Sequence, residues 1–201
     1  ELMLVANLRL ELATSLVPDA YAGIGVPDAC TDLLLEDGWA HNEDYDTLFF
    51  NHMYFVNISW FGMGVPLSFA SFTYPGVLPG WAPGWNSHGV AISWNVLYPR
   101  DIRADGGVGV AFVCRDVLRA TSVADALNLA APPDLALGQN LNVGSFDAGS
   151  FAVTTMETAP GGRKNILNIS QAGEGASRDG AYFHANEYLR LRDVRQLQPN
   201  L

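Results

Sequence analysis

Between Asp46 and Arg100 the chain carries no Asp, Glu, Lys or Arg. So long a stretch without formal charge has to supply much of a folded interior. Met53 to Phe72 is apolar enough to raise the question of a membrane span. Asn57, Ser59, Pro66, Ser68 and Ser71 interrupt it, and Gly62 and Gly64 break it further. Its aromatic and β-branched residues suit two strands better than one helix. The stretch therefore reads as a strand pair in a sheet covered on both faces.

The rest of the chain supplies the other layers. Leu4, Leu8 and Leu12 share one face of a helix predicted over Leu2 to Leu16, which Pro18 ends. Strands are predicted at 30–36, 38–44, 53–61 and 66–73, then at 89–97. Tyr74 to Trp85 holds three Pro-Gly or Leu-Pro-Gly turns and reads as a long irregular loop. Val110, Val113, Cys114, Val117 and Leu118 recur at helical spacing, so Cys114 reads as core. Ser122 with Asp125 resembles a capping box for a second helix. Further strands are predicted at 141–146, 150–157, 164–170 and 181–186. The fold class is α+β, with a helical layer against stacked antiparallel sheets.

Charge and composition narrow the partners. A net charge of −10 over 201 residues argues against nucleic acid and against an anionic membrane surface. Two cysteines form no disulfide framework and point to a reducing, cytoplasmic setting. His41, His52, His88 and His184 lack metal-ligand spacing, and the acids at 43–46 lack the pattern of a calcium loop. No metal and no cofactor is expected, and His184 reads as a core brace.

Cys30 is the candidate for chemistry. It follows Asp28 and Ala29 and precedes Thr31 and Asp32, an apolar run, and a return through Gly38 to the polar cluster His41-Asn42-Glu43-Asp44. A hairpin of this length folds Asp44 back beside Cys30, and a thiol beside a carboxylate suits a nucleophile. A buried small hydrophobe is the competing reading.

Six motifs in order then resemble the acyl-coenzyme A:6-aminopenicillanic acid acyltransferase family of N-terminal-nucleophile proteins. They are Asn7-Leu8-Arg9-Leu10-Glu11, Ala29-Cys30-Thr31, Asn42-Glu43-Asp44, Asn86 to Asn95, Asn142 with Asp147 and Glu157 to Pro160, and Tyr182 to Asn186. Within that family, Asn51-His52-x-Tyr54 and Tyr74-x-Gly76-x-Leu78-Pro79-Gly80 are similar to the hydrolases of the N-beta-alanyl-dopamine and carcinine type.

The resemblance implies an αββα sandwich, a pro-segment over 1–29 and a catalytic domain from 30 onward. Cleavage at Ala29–Cys30 would expose the Cys30 α-amine, so that one residue supplies both nucleophile and base. Asn142, then Asn95, would hold the oxyanion. Asp44 would hold the α-ammonium or orient Cys30. His41 would bind substrate. Trp81 and Trp85 would either line an aromatic-amine pocket or clamp their own loop. The substrate would be a small N-acyl amine such as a beta-alanyl amine, with both processed pieces staying associated and a homodimer as a further partner. Ala29 stands where the family has Gly, and the family's Ser-Arg pair beyond Asn186 is missing, which predicts a truncated C-terminus. An acyltransferase using a thioester donor, and a catalytically dead binding homologue, are the alternatives.

Overall fold

The computed structural model describes residues 1–8, 10–12, 30–35, 38–44, 47–60, 67–147, 150–169 and 181–197. Helix α1 is Leu2–Asn7, with residues 10–12 also helical. The rest of the predicted first helix, and Ala29, lie outside the described residues.

Two antiparallel sheets stack against each other. The larger has seven strands in the order β3 (Tyr54–Trp60), β4 (Leu67–Thr73), β5 (Gly84–Asn86), β6 (Val90–Leu97), β7 (Gly138–Asp147), β8 (Ser150–Ala159) and β9 (Arg163–Asn168). The smaller pairs β10 (Tyr182–His184), β1 (Thr31–Leu35) and β2 (Gly38–Asn42) in that order. The described residues also hold a 3-10 turn at Thr47–Phe49 and the helices α2 (Val110–Val117) and α3 (Val123–Leu129). Among the described residues no helix is long and apolar enough to cross a membrane.

Side-chain alternation explains the layers. Val90, Ile92, Trp94 and Val96 on β6, with Leu141 and Val143 on β7, pack in one cluster with Val110, Val113, Cys114, Val117 and Leu118 of the helical segment. This is the apolar core. The opposite face of the same strands presents Ser93, Asn95, Asn140 and Asn142, all fully buried. The layer between the sheets is therefore strongly polar, and only its far end is apolar, where Leu34 and Tyr182 meet Val153, Leu167 and Ile169. Gly144 makes the stacking close. A Cβ there would collide with the Trp39 ring.

Capping follows the sequence. Ser122 Oγ accepts from the Asp125 amide at 3.1 Å and opens α3. The Asn86 side chain donates to the Leu118 and Ala120 carbonyls at the end of α2, at 3.0 and 2.7 Å. These would otherwise be unpaired at the helix C-terminus.

The strand pair expected from the uncharged stretch forms as β3 and β4, but its burial differs from expectation. Every β3 residue is exposed or half-buried, and Phe55 is 67% exposed. The reason is position. The small sheet contacts β6 through Ser93, β7 through Gly144, and β8 and β9 through Val153 and Leu167. Strand β3 stands at the sheet edge, away from those strands. Phe55 is flanked by Phe72 and Trp85, at 5.2 and 6.3 Å between ring centroids.

Candidate active site

The β1–β2 hairpin builds the site. Its register pairs Thr31 with Asn42 and Asp32 with His41, so Cys30 reaches the level of Glu43. Cys30 is buried, and its Sγ lies within 4.8 Å of a His41 ring nitrogen and of a Glu43 carboxylate oxygen. Asp44 itself is exposed at the mouth of the cavity that Cys30 lines.

His41 lies between two carboxylates. Nδ1 is 3.0 Å from Asp32 Oδ1, and Nε2 is 2.8 Å from Glu43 Oε2. Both ring nitrogens must donate to satisfy that arrangement, which makes the ring an imidazolium. Burial opposes the charge, but hydrogen bonds to Asp32, Cys30 and Glu43 outweigh it and push the His41 pKa up to about 12. Burial acts oppositely on the neighbour. It pushes the Cys30 thiol up to about 11, with His41 lowering and the Glu43 charge raising it. The thiol is thus protonated at rest, beside a fixed cation that favours the thiolate once a base removes its proton.

A chain of hydrogen bonds runs from this pair into the polar layer. Ser93 Oγ donates to Asp32 Oδ1 at 2.7 Å. Asn142 Nδ2 donates to Ser93 Oγ at 3.2 Å. Asn140 Nδ2 donates to Asn142 Oδ1 and to Asn95 Oδ1, and Thr155 Oγ1 donates to Asn140 Oδ1. On the other side, the Tyr74 hydroxyl donates to Glu43 Oε1 at 2.7 Å. One donor of the asparagine cluster is left over. Asn95 Nδ2 is buried and meets no acceptor among the described residues. Asn95 and Cys30 line the same narrow cavity, together with Trp81 and Cys114.

The structure therefore sorts the expected site residues. Cys30, Asp44, His41, Asn95 and Trp81 gather around one cavity or touch its lining. Asn142 lies one hydrogen bond away, with its amide donor given to Ser93. Trp85 is half exposed, in a separate recess with Trp39 and Phe146. Ala29 lies outside the described residues. Sequence reasoning missed Asp32, Glu43 as a partner of His41, Ser93 and Asn140. For Asp32 a signal existed: it alternates inward with Leu34, and a short hairpin sets it opposite His41. Linear spacing also hid a convergence of donors. One ligand atom each from Cys30, His41 and Glu43 lies within 4.8 Å of the others.

The model of the acyl-coenzyme A:6-aminopenicillanic acid acyl-transferase family matches residues 36–198. The chain belongs to that family. The match begins just beyond Cys30, so the site thiol rests on the geometry above. No curated protein matches the chain. Among solved structures, a Caenorhabditis elegans N-acylethanolamine-hydrolyzing acid amidase ortholog is similar in fold, with a TM-score of 0.52 and 17% identity over 79% of this chain and 70% of that one. The fold is that of N-terminal-nucleophile hydrolases, and the family whose model the chain matches is that of the acyl-transferase.

Proposed function

We propose that this protein is an amidohydrolase that cleaves itself at Ala29–Cys30 and then hydrolyses a small N-acyl amine, with beta-alanyl amines as the substrate class. The observation that carries the reading is the pairing of Cys30 with the unspent Asn95 Nδ2 donor in one cavity. A neutral donor already fixed by Asn140 costs no reorganisation when an oxyanion forms. Asn95 is thus a better-placed oxyanion donor than Asn142, which does not line the Cys30 cavity and gives one of its two amide hydrogens to Ser93.

Cleavage would free the Cys30 α-amine, with an ordinary pKa of roughly 7.7–8.0. It takes the thiol proton, and the His41 imidazolium supports the thiolate. The sulfur then attacks the substrate carbonyl. The carbon–nitrogen bond breaks, the leaving amine takes the proton from the α-ammonium, and water resolves the thioester. Asp44 at the mouth, with Glu43 behind it, matches the ammonium of a beta-alanyl group.

The N-terminal segment has anchors that would keep both pieces together. Asn7 donates to the Gly76 carbonyl at 3.0 Å and accepts from the Leu78 amide at 2.8 Å. Glu11 Oε1 accepts from the Val110 amide at 2.7 Å, at the start of α2. Burial pushes the Glu11 carboxyl above its usual range.

Intact mass of fresh protein beside a Cys30→Ala control tests the reading. Fragments split at Ala29–Cys30 in the wild type alone support it, and an uncut chain in both overturns it. Incubating the cut protein with a beta-alanyl amine, with and without a second amine, then separates hydrolysis from transfer: free beta-alanine marks the hydrolase and a new conjugate marks the transferase.

A further inference from the structure

We infer that Cys30, His41 and Glu43 form a site for a zinc-class divalent ion, which would mask the nucleophile while bound. The inference rests on the convergence of a sulfur, a nitrogen and an oxygen donor within 4.8 Å. It does not depend on self-cleavage or on the substrate. Donors around tetrahedral zinc stand roughly 3.3–3.8 Å apart. Small side-chain rotations therefore close the three donors on an ion, with His41 Nε2 and Glu43 Oε2 opening slightly from 2.8 Å.

Three features distinguish this cluster from a chance gathering of polar groups. The donor set is mixed, with a thiolate and an imidazole, which selects zinc-like ions over magnesium or calcium. The second ring nitrogen of His41 is already held by Asp32 at 3.0 Å, and Ser93 in turn donates to that carboxylate oxygen at 2.7 Å. This is the carboxylate–histidine support that orients metal-bound imidazoles. An unspent acceptor is the third feature: the buried Asp32 Oδ2 has no partner among the described residues. Binding exchanges the thiol proton and the Nε2 proton for one divalent ion. Two protons leave to solvent, two positive charges arrive, and the net charge of the cluster is unchanged. Three protein ligands leave a fourth position for water.

Cobalt(II) is the probe, added to the whole chain under a non-thiol reductant. The expected result is a thiolate-to-cobalt charge-transfer band that saturates at one ion per chain. It should vanish with excess zinc, persist in Cys114→Ala and disappear in Cys30→Ala. Asp32→Asn should weaken binding by about 10- to 100-fold. No such band, or a band that survives Cys30→Ala, overturns the inference. A second measurement needs no variant. One equivalent of zinc should slow alkylation of Cys30 at least about tenfold, with metal-free protein labelled in parallel as the reference. An unchanged Cys30 rate overturns the inference as well. A chain that binds cobalt but never cuts itself would retire the proposed function and keep the metal site; the reverse result would do the opposite.

Discussion

Two buried histidines meet carboxylates in this molecule, and they differ in how completely their surroundings are satisfied. His184 Nε2 lies 3.1 Å from Glu157 Oε1 with both side chains essentially inaccessible. The Glu157 oxygens also accept from the backbone amides of Leu189, Arg190 and Leu191 at 2.7–3.1 Å. That carboxylate is saturated, and it pins the C-terminal segment to β8. In that pair only His184 Nδ1 lacks a partner among the described residues. His41 is shared by two carboxylates beside a thiol, with Asp32 Oδ2 and the nearby Asn95 donor both unspent. A carboxylate saturated by backbone amides marks a structural bolt. Leftover bonding capacity at a cavity marks a site held ready for something that is not protein.

The comparison can be broken in four ways. Cys30→Ala should abolish self-cleavage and reduce amide turnover by at least about 10³-fold, while unfolding free energy moves by only about 1 kcal/mol. Mass and product assays check the first part and denaturant titration the second. Asn95→Ala should lower kcat by about 10²-fold with KM little changed. A fall of twofold or less would remove Asn95 from the oxyanion role.

Glu157→Gln belongs to the other region and should act on stability, costing about 2–4 kcal/mol in urea unfolding while the folded fraction keeps its turnover. The effect has a pH signature. Burial alone would raise the Glu157 pKa, but the His184 hydrogen bond and the Leu191 and Leu189 amides outweigh burial and hold it below the usual value. A carboxylate depressed on folding stabilises the protein above its unfolded pKa of about 4.3, and that contribution is lost as pH falls through the folded value. The gap between wild type and Glu157→Gln should therefore be widest near neutrality and shrink below about pH 4. A constant gap would mean that the ionised carboxylate is not what pins the segment. Trp85→Ala is the smallest case. Half exposed and outside the Cys30 cavity, it should leave kinetics unchanged and stability within about 1 kcal/mol. A raised KM would return Trp85 to the substrate pocket.

Much of the layered fold was legible because periodicity reports which face is buried. β4, β6, α2 and the Ser122 cap lie where alternation, helical spacing and capping chemistry put them. The uncharged stretch correctly gave strands, but it misled about β3, since composition cannot tell an edge strand from a central one. The site was legible only in part. Cys30 and the 41–44 cluster stood out because a hairpin is local, and its register follows from the length of its arms.

Chain order by itself determined that this protein is a two-period α+β molecule, acidic, with a thiol at the head of a hairpin. Tertiary structure alone decided what that thiol meets. Asn95 and Asn140 share a buried face because β6 pairs with β7 across forty residues of intervening chain. Asp32 finds Ser93 only when one sheet stacks on the other. The physical reason is range. Turn chemistry and hydrophobic period act over a few residues, whereas the polar layer exists only after two sheets close on each other. Which of its donors remains unspent is settled by geometry that no local pattern encodes.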